Sequence, residues 1–464
     1  MGTISDKLMR VINTKEDIRK ALISKGYDVP ASIPFKEYAK MILDLPCKID
    51  DFPELPGDVT RWHFGGLTNE MMAAMDDPRI EDADGKGRFL SFKNFAWKEG
   101  SGISDVYPGA LVFDGVDDYG VCENFPILTK EKGYTVVALR QWDQDFLNTT
   151  LTGGLLSTRN YSTGEGVAFE KIESSNKAYW NLGAGGIIDF AKSPFTWQTS
   201  KQYNNVGILK GDKNHGKPLC VGCGLSGGQQ CGRFAIWELV FLDHDATEEE
   251  LNKIKDYFVK TYPWLFPDQA WTVVGKTNED EDRATIANIT GNGNDLVLSN
   301  FGFAEGSGYN KEGEYAGYLV TDGVDDKIVS SVFGMGKDFT IVGDWKFIGN
   351  KKSGTGLVKG SSFYIYNTMI GLDLYINSGS VKNSLDGIKS INAACSDGRV
   401  YDRNWNEILA NTGNVVGSGG ILEVSSSGGR FDRIAFKNLA IYPRILSKDD
   451  CIKAYNYLQT LKAK

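Results

Sequence analysis

Short stretches in which apolar and polar residues alternate, bounded by glycine, recur through most of the chain after residue 58. Asp338-Phe-Thr-Ile-Val-Gly-Asp-Trp345 and Phe363-Tyr-Ile-Tyr366 are examples rich in β-branched and aromatic residues. A period of two is typical of strands that bury one face. A helical period replaces it in two places, at residues 248–259 and 448–461. The pattern therefore predicts a mainly β protein in which helices are few.

Both predicted helices begin at a capping residue. Thr247 with Glu250 three residues later forms a capping box, and Ser447 precedes two aspartates that favour a helix N-terminus. The apolar side of the second helix is predicted to consist of Ile441, Leu446, Ile452, Tyr455 and Leu458.

The chain repeats itself. Leu111-Val-Phe-Asp-Gly-Val-Asp-Asp118 returns 208 residues later (319 − 111) as Leu319-Val-Thr-Asp-Gly-Val-Asp-Asp326. Further blocks return in the same order with nearly the same offset, which predicts two copies of one domain. The copies are placed at 58–267 and 269–464, each of a size that suits a β-sandwich. The short join Tyr262-Pro-Trp-Leu-Phe-Pro-Asp268 carries two prolines, so the mutual orientations of the copies are expected to be limited.

Residues 1–50 differ in kind and are predicted to form a small helical head. Its two short helices carry narrow apolar stripes, which contain Ile18, Leu22, Phe35, Tyr38, Ile42 and Leu43. About 45 residues cannot bury such stripes alone. The head is therefore expected to serve attachment or oligomerisation, with packing against the chain's own sandwich as the alternative.

Composition excludes several classes of protein. Among 464 residues, 51 Lys and Arg stand against 60 Asp and Glu, and a net charge of −9 argues against nucleic-acid binding. No apolar run approaches the roughly 20 residues that span a membrane. The first residues lack a signal-peptide pattern, and seven cysteines form no paired framework, which predicts reduced thiols in a chain made in a cytoplasm.

Two sets of residues have the chemistry of metal ligands. The aspartates of the repeated turns offer hard oxygen donors, and are interpreted either as turns without metal or as calcium sites: Asp114, Asp117, Asp118, Asp322, Asp325 and Asp326. A second set could hold zinc or could be free thiols beside a histidine: His215, Cys220, Cys223 and Cys231. No other cofactor is expected.

The sequence gives little support for an enzyme. A glycosidase would need a pair of carboxylates, and no strand carries a Glu-x-Asp-x-x-Glu pattern. The chain is therefore predicted not to be an enzyme. Sugar binding through an exposed aromatic ring is the remaining candidate activity, and the tryptophans near Gly- or Asn-rich stretches are Trp97, Trp142, Trp180, Trp197 and Trp405.

The stretch Leu111-Val-Phe-Asp-Gly-Val-Asp-Asp-Tyr119 and the closing segments Leu239-Val-Phe-Leu242 and Leu439-Ala-Ile-Tyr442 resemble concanavalin A-like, laminin-G-type jelly rolls. The head, with Thr14-Lys-Glu-Asp-Ile-Arg-Lys-Ala-Leu-Ile-Ser-Lys-Gly26 and Ile33-Pro-Phe-Lys-Glu-Tyr-Ala39, resembles N-terminal segments of tailed-phage structural proteins. Tandem jelly rolls behind such a head are similar to head or tail fibres of crAss-like phages.

The resemblance implies a fibre or decoration subunit of a virion. Residues 1–46 would attach it to capsid or tail proteins, and a homodimer or homotrimer is expected. The two jelly-roll sandwiches would then be displayed for weak, multivalent binding of a surface glycan. The alternatives are a non-viral carbohydrate-binding protein and, last, a glycan-degrading enzyme.

Overall fold

The computed structural model describes most of the chain from residue 51 onward. The described residues are 15, 19, 51–126, 133–158, 168–171, 178–180, 186–188, 195–199, 218–225, 229–334, 336–348, 355–359, 363–367, 371–376, 385–386, 391–409, 419–424, 426–427, 430–431 and 433–463. The chain divides into two compact units, Met1–Glu54 and Leu55–Lys464. In the first unit, Lys15 and Arg19 are helical. The six predicted contact residues of the head lie outside the described residues.

The first half of the second unit contains sixteen described strands. They are β1 (Val59–His63), β2 (Arg79–Glu81), β3 (Phe89–Lys93), β4 (Gly102–Ser104), β5 (Ala110–Asp114), β6 (Tyr119–Cys122), β7 (Thr135–Trp142), β8 (Gly153–Ser157), β9 (Ala168–Lys171), β10 (Ala178–Trp180), β11 (Gly186–Ile188), β12 (Phe195–Thr199), β13 (Leu219–Val221), β14 (Cys223–Leu225), β15 (Gln229–Cys231) and β16 (Arg233–Leu242).

The second half contains eighteen described strands. They are β17 (Gln269–Thr272), β18 (Thr285–Ile286), β19 (Leu296–Ser299), β20 (Gly308–Tyr309), β21 (Leu319–Val320), β22 (Lys327–Gly334), β23 (Thr340–Phe347), β24 (Thr355–Lys359), β25 (Phe363–Asn367), β26 (Gly371–Ile376), β27 (Leu385–Asp386), β28 (Ile391–Cys395), β29 (Val400–Asp402), β30 (Glu407–Leu409), β31 (Gly419–Val424), β32 (Ser426–Ser427), β33 (Arg430–Phe431) and β34 (Ile434–Tyr442).

The two halves have the same strand order, so the predicted fold class, two tandem β-sandwiches, is confirmed. In sandwich 1 one sheet runs β12-β7-β16-β5-β4 with β1 also on β16, and the other runs β11-β10-β9-β8-β13-β6-β3-β2. In sandwich 2 the corresponding orders are β28-β23-β34-β21-β20 with β17 on β34, and β27-β26-β25-β24-β31-β22-β19-β18. Strands β29 and β30 extend the first of these beyond β28.

Each sandwich has its own apolar core, drawn from both of its sheets. Trp62, Phe113 and Trp142 belong to the core of sandwich 1, and Trp271 and Trp345 to that of sandwich 2. Trp62 pairs with Leu239 and Trp271 with Leu439, which puts equivalent residues in register at the centre of each half. Since alternate residues of a strand face the same side, these registers bury the predicted apolar faces.

Four described α-helices accompany the strands: α1 (Asn69–Ala73), α2 (Gln144–Leu147), α3 (Glu248–Thr261) and α4 (Lys448–Thr460). A short 3₁₀ turn, Pro263–Leu265, follows α3 in the join. Both hydrogen bonds of the predicted capping box at Thr247 are present, and Ser447 accepts from the Asp450 backbone N–H. None of the described helices is both long and apolar enough to cross a membrane.

The predicted apolar side of the second helix was wrong in part. The buried residues of α4 are Cys451, Ala454, Tyr457 and Leu458, whereas Ile452 and Tyr455 are half-buried. Ile441 belongs to β34 and Leu446 precedes the helix. The buried face is rotated because α4 packs both on its own sandwich and, through Tyr457, on sandwich 1.

Candidate functional site

The repeated aspartate turns have the same structure in both sandwiches. Carboxyl oxygens lie within 4.8 Å of one another in the first acidic triad (Asp114, Asp117, Asp118) and in the second (Asp322, Asp325, Asp326). The glycines that follow Asp114 and Asp322 adopt φ values of +77° and +74°, which a side chain would oppose.

Protein donors close each turn. Ser101 Oγ donates to Asp118 Oδ1 at 3.0 Å, and the Asp114 backbone N–H donates to Asp118 Oδ2 at 3.0 Å. The Val116 backbone N–H in turn donates to Asp114 Oδ1 at 2.7 Å. The second turn repeats these bonds with Ser307 to Asp326 at 3.1 Å, Asp322 to Asp326 at 2.7 Å and Val324 to Asp322 at 2.7 Å.

Burial dominates the electrostatics of the turns. Asp118 is fully buried, and this desolvation raises the pKa of its carboxyl group to about 7. The same cause raises the pKa of Asp326 to about 6. Both triads have the geometry to hold a hard cation, yet their inner carboxyl groups are already bonded within the chain. Both interpretations of the turns, without metal and as calcium sites, stay predictions.

The three described cysteines of the predicted zinc set pack as small apolar side chains. Cys220, Cys223 and Cys231 are buried in one cluster with Tyr119 and Val121, and Cys223 lies opposite Cys231 across β14 and β15. Burial raises the pKa of the Cys231 thiol to about 11. Within the described part of the chain, the groups with metal-binding spacing are the two acidic triads, and these thiols form none. His215 lies outside that part.

None of the described candidate tryptophans is fully exposed. Trp142 is buried in the core of sandwich 1. Trp97 is half-buried and stacks on Phe95 at 4.9 Å. Trp405 is half-buried with Tyr455 edge-on at 5.6 Å. The side chains of Trp180 and Trp197 are outside the description.

A cleft that the sequence did not predict lies between the two sandwiches. This inter-sandwich cleft has a volume of about 370 Å³, within the range of small-ligand sites. Its polar lining residues are Gln141, Lys255, Asp268, Thr290, Asn292, Arg444 and Tyr457, and its apolar ones Val259, Leu265, Phe266, Pro267, Ala270, Ile289, Pro443 and Leu461. Four of these residues come from the join. The shortness of the join was the one sign in the sequence that the two sandwiches lie close together.

Hydrogen bonds across the join hold the walls of the cleft. Tyr457 of α4 donates its hydroxyl to Gln141 Oε1 of β7 at 3.1 Å. Arg444 Nη1 donates to the Val259 carbonyl of α3 at 3.0 Å. Nearby, Tyr442 donates to the Trp264 carbonyl at 2.9 Å. Each bond joins residues of different copies, so both sandwiches build the site.

The cleft carries more positive than negative charge. Arg444 is half-buried and forms no ion pair among the described residues, and its burial lowers the pKa of the guanidinium. Lys255 also forms no described ion pair. Asp268 is the one carboxylate in the described lining, and its Oδ2 accepts from Gln269 Nε2 at 3.0 Å. A half-buried cation without a counter-charge favours an anionic ligand.

A buried ionic network in sandwich 1 was also missed. Glu238 of β16 is fully buried and lies 3.1 Å from Arg61 Nη1 and 2.7 Å from His63 Nδ1. Tyr257 and Tyr262 donate their hydroxyls to Glu238 Oε1 at 3.1 and 2.9 Å. Burial raises the pKa of Tyr257 to about 12. The sequence sign of this network was Glu238 itself, an acidic residue inside the otherwise apolar run of β16. Because the central carboxylate is fully buried, we assign the network to stability.

Comparison with known proteins yields little. No family model and no curated protein matches the chain. Among solved structures, Trypanosoma rangeli sialidase is 10% identical, with TM-score 0.32, over 82% of this chain and 68% of that one. A mutant of it displaying trans-sialidase activity is 10% identical, with TM-score 0.33, over 84% and 69%. A mutant of HCR/D is 10% identical, with TM-score 0.32, over 81% and 93%. Similarities at these TM-scores support no functional assignment.

Proposed function

We propose that this protein is a non-enzymatic structural subunit of a bacteriophage virion, a fibre or decoration protein that displays two fused β-sandwiches and binds a surface glycan. The observation that carries the binding role is the inter-sandwich cleft. Both copies line it, its lining contains hydroxyl and amide groups as well as apolar residues, and two cations in it lack described carboxylate partners. These groups suit a sugar that carries a carboxylate.

The virion role is supported by the resemblance of the head to phage attachment segments. Its apolar stripes are too large to be buried within about 45 residues. Two sandwiches that follow an attachment segment suit a virion appendage, in which many weak binding sites act together.

The absence of catalysis is part of the proposal. Glycoside hydrolysis commonly requires two carboxyl groups about 5–9.5 Å apart. Asp268 supplies the one carboxylate in the described lining of the cleft. This favours binding over the alternative of a glycan-degrading enzyme.

Isothermal titration with short oligogalacturonates, and with maltooligosaccharides as neutral counterparts, tests the cleft. We expect the acidic oligosaccharides to bind, and Arg444→Gln to weaken binding by about tenfold or more, since a hydrogen bond to a charged group contributes about 1.5–3 kcal/mol. Lys253→Gln is the control, because it removes a cation of α3 that does not line the cleft and that pairs with Glu249 at 2.8 Å. Equal affinities for the wild type and Arg444→Gln would refute the cleft assignment.

Deletion of residues 1–46 tests attachment. The truncated chain should fold and bind oligosaccharide but fail to enter assembled particles in a phage-producing host. Its incorporation at wild-type levels would show that the head is not the attachment segment.

A further inference from the structure

The central strands of both sandwiches carry a β-bulge at the same place. Pairing of β16 with β7 skips Trp237, and pairing of β34 with β23 skips Lys437. The two positions are equivalent, because Leu239 and Leu439 occupy the same register against Trp62 and Trp271. A bulge re-aims the side chain of the extra residue. The extra residue of the bulge is thus a tryptophan in sandwich 1 and a lysine in sandwich 2.

In sandwich 1 this position is covered by sandwich 2. Trp237 is fully buried, its indole N–H donates to the Pro108 carbonyl at 2.9 Å, and the ring of Tyr457 stands edge-on at 6.2 Å. Tyr457 also bonds Gln141, and Lys462 pairs with Asp145 beside it. The face around the first bulge is therefore an interface inside the chain.

In sandwich 2 the equivalent face is basic. Lys346 occupies the position of Gln141, since both pair with the alanine two residues before the bulge. The ammonium groups of Lys346 and Lys437 lie 4.3 and 5.9 Å from the ring centroid of Tyr318. The Tyr318 hydroxyl donates to Asp344 Oδ2 at 2.8 Å. Neither lysine lies within salt-bridge distance of a carboxylate in the described part of the chain.

We propose that this basic face (Tyr318, Lys346, Lys437) is a second binding surface, distinct from the cleft, for a carboxylate-bearing polysaccharide. The adjacent Asp344 is buried and accepts from Tyr318, and its carboxyl oxygens lie beyond salt-bridge distance of both lysines. Arg403, an exposed cation, lies near Tyr318 and adds to the positive charge of this face.

The chemistry of the face favours a polysaccharide over other polyanions and over a protein. A net charge of −9 opposes the dense phosphates of nucleic acid, whereas an acidic polysaccharide carries fewer charges per unit length. A packed helix would desolvate both ammonium groups, at a cost that a hydrated sugar chain avoids. Both lysines are only half-buried, so their charges remain in reach of solvent.

Affinity electrophoresis of the full chain in gels that contain polygalacturonate, with dextran as the neutral counterpart, tests the proposal. The double variant Lys346→Gln/Lys437→Gln introduces at one position the glutamine that sandwich 1 carries. The control Lys253→Gln/Lys311→Gln makes the same change of net charge at lysines that pair with Glu249 and Glu279. Circular dichroism of each variant reports folding.

We expect the wild type and the control to be retarded by polygalacturonate alone, and the Lys346/Lys437 variant to bind about fivefold more weakly. Added salt should weaken wild-type binding steeply. Equal retardation of a folded Lys346/Lys437 variant and the control would overturn the basic face, as would absence of wild-type retardation. Arg444→Gln in the same gels separates the two sites, because loss confined to that variant would leave the cleft as the polysaccharide site and refute the basic face.

Discussion

We expect the buried network around Glu238 to contribute strongly to the free energy of unfolding. Its carboxylate has no solvent exposure and is bonded to Arg61 and His63 as well as to two tyrosine hydroxyls. Arg61 is itself only 1% exposed. Glu238→Ala therefore removes the carboxylate that lies 3.1 Å from the buried Arg61 guanidinium.

The expected cost of Glu238→Ala is about 3–5 kcal/mol, because breaking one side of a buried ion pair leaves an uncompensated charge. Sandwich 2 has no ion pair at the positions equivalent to Arg61 and Glu238. At the equivalent positions it has Ala270 and Asn438, and Asn438 bonds the Asp344 backbone N–H at 3.1 Å. The double variant Arg61→Ala/Glu238→Asn copies this solution.

Urea denaturation followed by tryptophan fluorescence measures Glu238→Ala, the double variant and its two component single variants, Arg61→Ala and Glu238→Asn. We expect the double variant to lose less than either the Glu238 change alone or the sum of the single changes, which is the signature of coupled residues. The exposed pair of Lys311 and Glu279 is the control, and removing it should cost about 0–1 kcal/mol. If Glu238→Ala cost less than about 1 kcal/mol, or if the single effects simply added, the interpretation of the network would be wrong.

Three further predictions concern the turns and the interface. Because burial raises the pKa of Asp118 to about 7, the folded chain binds more protons than the unfolded chain between about pH 4 and 7. This group's contribution to stability should fall as pH rises through that window, and urea denaturation of Asp118→Asn should show a correspondingly flatter pH profile. Millimolar calcium should leave the thermal midpoint unchanged in calorimetry, since chain donors already bond the inner carboxyl groups, and a rise that EDTA reverses would show ion sites instead. Tyr457→Ala should destabilise the chain by about 3–5 kcal/mol in urea, because the ring is buried against Trp237, and a loss below about 1 kcal/mol would show that the interface contributes little.

The repeat made the fold predictable from the sequence. Three of the predicted features depend only on residues close together in the chain: the strands with a period of two, the glycines at the aspartate turns and the Thr247 cap. Such features can be predicted from local sequence patterns. In the two aspartate turns, Asp118 and Asp326 each accept from a backbone N–H only four residues earlier in the chain.

The cleft could not be predicted, because it depends on how the copies meet. The basic face could not be predicted either, because Lys346 and Lys437 come together only through the bulged pairing of β23 with β34. The sequence pattern predicts α4, but it does not predict whether Tyr455 or Tyr457 contacts sandwich 1. Arg444 and Lys255 are far apart in sequence and come together only through the join. Glu238 broke an apolar strand pattern, and its partners were visible only once β1 was paired with β16.

The central claim is that the chain binds an acidic glycan without cleaving it. Incubation of the chain with purified acidic capsular polysaccharide, followed by size-exclusion chromatography with light scattering, tests this claim most directly. The account predicts a protein–polysaccharide complex that dissociates in high salt, and polysaccharide of unchanged mass after the protein is removed. Shortened polysaccharide chains, or no complex with any acidic polysaccharide while the protein remains folded, would contradict it.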